Sequence, residues 1–260
     1  MSSSTPLALV TGASSGIGMS YARRLLADGY DVIAVGRRKA RLESLAAEFP
    51  QRRVQVEVAD LSTLAGVQGL AEICRREPIT LLVNNAGVSH YMGFTQLPAE
   101  QACELLHVKV LAPTLLAHAV LPGMIASKQG TIVNVAGMLA FGATAPLGQA
   151  PGRATYVASL SHLVSLTLAL HEEFAHTGMA FQVLCPGVVA TEFHERQGMD
   201  LSAFPRMSAD DVVTASLNAL RLQEVVCAPG VEDNRLLDCA LQASLAAFQG
   251  QSPALASRYR

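Results

Sequence analysis

Residues 7–18 read Leu-Ala-Leu-Val-Thr-Gly-Ala-Ser-Ser-Gly-Ile-Gly, and they decide the fold that this sequence predicts. An apolar run of strand length breaks into a turn of small residues, and Ile17, Tyr21 and Leu25 then recur at helical spacing. Glycines in such a turn permit a tight reversal and a close approach of the backbone to a pyrophosphate. The first N–H groups of the helix favour an anion there. The stretch therefore predicts a dinucleotide-binding strand–turn–helix unit, with an ordinary strand-to-helix turn as the weaker alternative.

Further apolar runs alternate with helical segments along the chain, which is typical of a buried parallel sheet. We predict an α/β fold with a doubly wound, seven-stranded parallel sheet, helices on both faces, and one domain over residues 1–260. The long helical region 98–127 is expected to bend or break at Pro113 and Pro122. Strands are predicted from residue 7 and at 31–35, 54–58, 79–83, 131–135, 180–185 and 225–228.

The composition limits the partners. Half of the 260 residues are hydrophobic, 15% are charged, and the net charge is −2, so no basic surface for nucleic acid is expected. We find no apolar run of transmembrane length and predict no membrane contact. The histidines have no metal-ligand spacing, so no metal site is predicted. Five scattered cysteines indicate free thiols in a reducing compartment, which predicts a cytoplasmic protein.

Three motifs occur in a fixed order: Thr11 before Gly12-x-x-x-Gly16-x-Gly18, then Asn84-Asn85-Ala86-Gly87, then Pro186-Gly187-x-x-x-Thr191. In this order the sequence resembles the short-chain dehydrogenase/reductase family. That resemblance implies a Rossmann fold, a nicotinamide cofactor, a small-molecule substrate, and a homodimer or homotetramer. The cofactor-binding residues that it implies are Gly12, Ser14, Ser15, Gly16, Ile17, Gly18, Asp60, Leu61, Asn84, Ala86, Gly87, Tyr156, Pro186, Gly187, Val189 and Thr191.

The second predicted strand ends in Gly36-Arg37-Arg38-Lys39. In doubly wound folds an acidic residue at this place favours the free ribose 2′-OH, whereas arginine accommodates a 2′-phosphate. No acid is present, so Arg37, together with Arg38, predicts NADP(H) over NAD(H). Arg38 and Lys39 could equally be a solvated helix start.

The catalytic residues that the resemblance implies are only partly present. The family uses a tyrosine, a lysine four residues later, a serine after the fifth strand, and an asparagine in the preceding long helix. Tyr156 is present, but the matching positions hold Leu160, Gly137 and Lys109. Three of the four identities have therefore changed, whereas the cofactor motifs are intact.

Lys109 interrupts the apolar sequence Val108-Lys109-Val110-Leu111-Ala112, where an unpaired ammonium is costly to bury. Resemblance places it beside Tyr156 and Leu160, so we predict Tyr156 and Lys109 as the catalytic pair. The alternative is a lysine that extends along the helix to solvent. Weaker candidates for the missing hydrogen bonds are Thr144, Ser159, His90 and His107.

The positions that match the substrate side are mostly apolar, which predicts a bulky, hydrophobic carbonyl substrate. The extra segment 142–153 is expected to form either a lid or a surface insertion. Three functions stay open: an NADPH-dependent carbonyl reductase, a non-redox catalyst such as a cyclase, isomerase or lyase, and a cofactor-binding protein without catalysis. The predicted pocket residues are His90, Tyr91, Met92, Gly137, Met138, Leu139, Phe141, Phe193 and His194.

Overall fold

A computed structural model describes residues 5–148 and 150–260. Seven strands form one sheet in the order β3-β2-β1-β4-β5-β6-β7, and every neighbouring pair is parallel. This confirms the predicted doubly wound α/β fold. The strands are β1 (Leu7–Thr11), β2 (Asp31–Gly36), β3 (Val54–Val58), β4 (Ile79–Asn84), β5 (Thr131–Val135), β6 (Ala180–Leu184) and β7 (Val226–Cys227).

Helices cover both faces of the sheet. Alternate residues of each strand point to opposite faces, so both sets of strand side chains pack against helices. Leu7 and Leu9 of β1 belong to one core cluster, and Ala8 and Val10 belong to another. Both faces being buried accounts for the continuous apolar runs in the sequence. The helices are α1 (Gly16–Ala27), α2 (Lys39–Glu48), α3 (Leu64–Arg76), α4 (Ala99–Leu106), α5 (Ala112–Ser127), α6 (Ala154–Glu173), α7 (Ala209–Arg221) and α8 (Arg235–Gln249).

The long helical region departs from the prediction. It is continuous from Ala99 to Ser127, and Pro122 lies inside α5 without ending it. The irregularity is instead a π-helical turn, His107–Leu111, just before Pro113. Such turns insert one extra residue and often occur at functional sites. The turn redirects the side chains between α4 and α5, and Lys109 is one of them.

The expectation that no apolar segment reaches transmembrane length is wrong for this helical region. By length and composition Ala99–Ser127 could cross a bilayer, with a mean hydropathy of 1.6. Its buried side chains pack in the core, however. Leu116, Val120 and Met124 belong to the same cluster as Leu82 of β4 and Leu70 of α3. The apolar composition is therefore accounted for by its position in the core.

The chain forms two compact units, one ending at Pro229 and the other spanning Gly230–Arg260. The whole sheet and helices α1 to α7 lie in the first unit. The second unit consists of α8 and a short 3₁₀ turn at Ser257–Tyr259. The single-domain boundary 1–260 stays a prediction.

The turn after β1 is fastened to the end of β4. The Thr11 hydroxyl accepts the N–H groups of Asn85 (2.9 Å) and Ala86 (3.0 Å), and Asn85 Nδ2 donates to the Thr11 carbonyl (2.9 Å). Gly12 has φ +70°, which a glycine adopts without strain. A Cβ on Gly18 would lie 2.4 Å from both the Gly12 carbonyl oxygen and Asn85 Nδ2. Helix α1 can therefore approach the strand ends only with glycine at position 18.

We expect Gly18→Ala to lower thermal stability, because the added methyl group meets backbone that cannot move aside. Overpacking of this kind costs about 1–3 kcal/mol. The matched control is Gly69→Ala in α3, where a Cβ would meet nothing within 4 Å. That change should stabilise the protein by about 0.5–1 kcal/mol through helix propensity. Thermal melting of both variants checks this, and a Gly18→Ala protein as stable as the unmodified chain would contradict it.

Candidate active site

A cavity of about 1160 Å³ lies along the carboxyl ends of the parallel strands. This is where doubly wound folds bind their ligands. Most residues predicted for the cofactor and substrate line it. They are Gly12, Ser14, Ser15, Gly16, Ile17, Arg37, Arg38, Asp60, Leu61, Ala86, Gly87, Tyr91, Lys109, Gly137, Met138, Leu139, Tyr156, Pro186, Gly187, Val189, Thr191, Phe193 and His194.

Two residues predicted to bind the cofactor do not line this cavity. Gly18 is buried beneath the turn, where it permits close packing. Asn84 is buried in β4, and its Nδ2 donates to Asn134 Oδ1 of β5 at 2.9 Å. It therefore braces the sheet. The adjacent Asn85 lines the cavity instead.

Three residues predicted for the substrate pocket also lie off the cavity wall. His90 Nε2 lies 3.0 Å from Glu104 Oε2 of α4. Met92 is half-buried, and its carbonyl oxygen faces Gly152, where a Cβ would lie 2.7 Å away. Phe141 ends a 3₁₀ turn, Met138–Phe141, and packs behind Tyr156 in an apolar cluster.

The nucleotide end of the cavity carries positive charge. Arg38 Nε and Nη2 lie 3.2 and 3.1 Å from the Ser14 hydroxyl oxygen, so this guanidinium lies over the turn after β1. Arg37 is 55% exposed and lies 3.7 Å from Glu104. The α1 N-cap, Ser15, makes no side-chain capping bond, so the first turn of α1 keeps N–H groups for an anion. The cavity, the turn and the two arginines fit a phosphorylated dinucleotide.

Lys109 is buried, with only 4% of its surface exposed, so the alternative of a solvent-reaching lysine is wrong. Its Nζ donates to the Val135 carbonyl at 3.0 Å, at the end of β5. A Cβ on Gly87 would lie 2.7 Å from Lys109 Cε, so glycine there leaves room for the side chain. Burial lowers the pKa of Lys109 to about 8. The group is therefore still mostly protonated at pH 7.

Tyr156 lies on the cavity wall among aromatic side chains and is 7% exposed. Tyr91 contacts it edge-on at 5.3 Å between ring centroids, and Phe193 lies at 6.4 Å. Burial raises the pKa of Tyr156 well above its usual value, and the neighbouring Tyr91 phenol adds to the shift. The hydroxyl is therefore protonated at neutral pH.

Gly137 and Leu160 stand side by side. A Cβ on Gly137 would lie 3.4 Å from Leu160 Cδ1, and Leu160 is buried. Apolar contact thus replaces the expected hydroxyl and ammonium. None of the weaker candidates fills the gap, because His90, His107, Thr144 and Ser159 do not line the cavity. The Ser159 hydroxyl donates to the Tyr156 carbonyl (2.7 Å).

Sequence reasoning missed several cavity residues. Arg153 lies one turn before Tyr156, and Glu192 follows Thr191 directly. The segment after Thr191 adds Met199, Leu201, Phe204 and Pro205. Within the extra segment 142–153, Ala150 and Pro151 also line the cavity, which favours the lid interpretation. Gln149 lies outside the described residues.

No group of three or more metal-binding side chains occurs within residues 5–148 and 150–260. The five cysteines are all unpaired, with Cys74, Cys185 and Cys227 buried.

Comparisons with known proteins agree with this geometry. A family model described as short chain dehydrogenase matches residues 6–201. A short-chain dehydrogenase from Sphingobium yanoikuyae, solved with NADPH, superposes with a TM-score of 0.91 at 32% identity, covering 98% of this chain and 100% of that chain. A bulky-bulky ketone specific alcohol dehydrogenase from Comamonas testosteroni gives 0.87 at 27% identity, covering 98% of each chain.

Two of the curated relatives are longer proteins. A very-long-chain 3-oxoacyl-CoA reductase of Caenorhabditis briggsae is 32% identical over 71% of this chain. A human protein named inactive hydroxysteroid dehydrogenase-like protein 1 is also 32% identical over 71% of it. The chain spans 60% and 56% of the lengths of these two relatives.

We expect the burial of Lys109 to cost stability. Its pKa of about 8 in the folded protein lies below the value of 10.5 for an exposed lysine. The unfolded chain therefore binds more protons between these two values, so stability rises with pH across that window. At neutral pH the cost is about 3 kcal/mol. A variant that replaces Lys109 also loses the hydrogen bond to the Val135 carbonyl, and that loss offsets part of the stability gained.

Lys109→Met should therefore melt at a higher temperature at pH 7 and should lose the rise in stability between pH 8 and 10.5. The matched control is Lys39→Met at an exposed site, which should change stability by less than about 0.5 kcal/mol. Denaturation curves at several pH values are the measurement. A Lys109→Met protein with the same pH slope as the unmodified chain would show that Lys109 is not buried as an ammonium.

Proposed function

The chain belongs to the short-chain dehydrogenase family, and on that premise we propose that it is an NADPH-dependent reductase of bulky, largely apolar ketones. The observation that carries this proposal is one cavity that joins the glycine-containing turn after β1 to a buried, protonated Tyr156. The family consists of oxidoreductases, so nucleotide binding and hydride chemistry are its ordinary activities.

The nucleotide end fits NADPH. The N-terminus of α1 and Ser14, Arg37 and Arg38 would hold its phosphates, and Asn85 to Gly87 and Pro186 to Thr191 would border its nicotinamide end. When bound, NADPH supplies the hydride that converts the carbonyl carbon into an alcohol carbon.

Tyr156 supplies the matching proton. Its hydroxyl stays protonated because burial raises its pKa, so it can donate to the carbonyl oxygen as negative charge develops there. A phenol held in this state is a poor general base, which favours reduction over alcohol oxidation. Tyr91 and Phe193 pack against its ring and fix its direction.

Lys109 supports the developing charge. Its ammonium is the buried cation of this cavity, where electrostatic interactions are weakly screened. The bond to the Val135 carbonyl and the space above Gly87 hold it in place. The family lysine would lie at position 160 on α6, which is leucine in this chain. Lys109, in the π-helical turn before α5, supplies the positive charge in its place.

The substrate class follows from the far end of the cavity. Apolar and aromatic side chains dominate there, among them Met138, Leu139, Phe193 and Phe204. Such a wall favours a ketone with large groups on both sides of the carbonyl. The similarity to the bulky-bulky ketone specific enzyme of Comamonas testosteroni supports this choice.

A second function has a specific observation in its favour. Gly137 and Leu160 remove the hydroxyl and the ammonium that the family uses, and the human relative is named inactive. A protein that binds NADPH without turnover, or that catalyses a non-redox reaction, would keep the cofactor cavity and tolerate these changes.

The experiment that decides is turnover of a panel of bulky ketones with NADPH, following cofactor oxidation and product mass together. Alcohol products formed with equal NADPH oxidation would support the reductase. Product formation without NADPH oxidation would favour a non-redox catalyst, and NADPH binding without any product would favour the binding protein.

We further propose that the protein works in the cytoplasm as a homodimer or homotetramer. The five free cysteines support a reducing compartment. Exposed Leu236, Leu245 and Phe248 on α8 support a surface that another subunit covers.

We expect Lys109→Met to lower the single-turnover rate of ketone reduction by about a hundredfold, as loss of a buried charge-stabilising donor does. In the unmodified enzyme the rate should fall as pH rises through about 8, where Lys109 loses its proton. Tyr156 cannot cause that fall, because its pKa lies higher. Lys109→Arg should keep the charge and move the fall to higher pH, and an active Lys109→Met enzyme would contradict the role.

We expect NADPH to bind more tightly than NADH, because arginine pairs with a 2′-phosphate through charge-assisted hydrogen bonds. Arg37→Asp should abolish or reverse this preference. Arg53→Asp, at an exposed position just before the edge strand β3, should leave it unchanged. Dissociation constants for both cofactors are the measurement. Equal affinities of the unmodified protein for NADPH and NADH would contradict the proposed preference for NADPH.

A further inference from the structure

The Glu192 carboxylate forms ion pairs with three guanidinium groups. Its Oε1 lies 2.8 Å from Arg38 Nη2, 3.0 Å from Arg41 Nη1 and 2.7 Å from Arg196 Nη2. Arg38 and Arg41 belong to the start of α2, whereas Arg196 belongs to the same loop as Glu192. One carboxylate thus connects the loop after β6 with the basic start of α2.

This carboxylate also reaches the turn after β1. The Ser15 side chain hydrogen-bonds to Glu192, and Arg38 contacts both the hydroxyl and the carbonyl oxygen of Ser14. Glu192, Arg38, Ser14 and Ser15 all line the large cavity. The negative charge therefore lies inside the proposed nucleotide site, on the groups expected to bind phosphate.

The carboxylate is ionised over the whole working range of pH. Burial alone would raise the pKa of Glu192, but hydrogen bonds from Arg38, Ser15 and Arg41 lower it to about 2. Arg38 is thus already ion-paired with a carboxylate in the protein as it stands. An incoming phosphate has to compete for that guanidinium.

We propose that Glu192 is an internal competitor of the 2′-phosphate and so sets the affinity of the protein for phosphorylated nucleotides. A phosphate dianion offers more charge and more acceptor oxygens than one carboxylate, so it can displace Glu192 from Arg38. A nucleotide without the 2′-phosphate lacks this dianion and therefore gains less from displacing Glu192. This inference rests on the proposed binding of NADPH.

The effect is specific to one of two neighbouring glutamates. Glu195 lies three residues further in the same loop, is exposed, and has no ion pair within the described part of the chain. Glu195→Gln therefore removes the same charge from the same segment without touching the arginine cluster. It controls for the general effect of lowering negative charge near the site.

The test compares two ligands, 2′,5′-ADP with the 2′-phosphate and 5′-AMP without it, by calorimetry at physiological salt. Glu192→Gln should tighten 2′,5′-ADP about fivefold, as expected for the loss of a competing ion pair, and change 5′-AMP by less than about twofold. Glu192→Asp should tighten 2′,5′-ADP less, and Glu195→Gln should leave both ligands within about twofold. Melting temperatures confirm that the variants fold.

Equal tightening of both ligands in Glu192→Gln would mean a general charge effect and would overturn the proposal. Unchanged or weaker binding of 2′,5′-ADP would overturn it as well. If the unmodified protein still binds NADPH in either case, the proposed function stands without this inference. If no variant binds NADPH or either fragment, both the function and the inference fall.

Discussion

The bond network of the Thr11 hydroxyl is the constraint on which the site depends. It holds the N–H groups of Asn85 and Ala86 and so joins the turn after β1 to the loop after β4. With that loop fixed, Gly87 lies over Lys109, and its missing side chain is the space that the lysine occupies. The nucleotide-binding turn and the buried ammonium are therefore positioned by one contact between two strand ends. A change in either loop would move both halves of the site.

Lys109 shows how the altered catalytic set can coexist with a stable fold. A buried ammonium costs free energy that a leucine or methionine at that position would not. The π-helical turn His107–Leu111 brings it to the end of β5, where the Val135 carbonyl accepts a hydrogen bond. On helix α6, Leu160 packs next to Gly137, and this position carries no positive charge. Among the described residues, Lys109 is thus a buried charge on the wall of the same cavity as Tyr156.

The sheet could be predicted from sequence because its information is local. Runs that are buried on both faces are apolar throughout, so β5 was predicted with the observed ends, Thr131 and Val135. The errors came from contacts between distant segments. Pro122 fits inside α5, and Asn85 lines the cavity where Asn84 was expected to. Glu192 was missed because its partners Arg38 and Arg41 are more than 150 positions away. No short pattern encodes such a pairing.

The two ends of the cavity differ in charge, and that difference orients a dinucleotide. The end near α2 holds several arginines around one carboxylate, an arrangement that in our proposal attracts phosphate and limits how strongly it binds. The end near Tyr156 is aromatic and holds one buried cation, which suits an uncharged substrate whose oxygen becomes negative only during the reaction. Because Glu192 and Phe193 are adjacent in one loop, the proposed competitor of phosphate and a wall of the proposed substrate pocket share the same backbone.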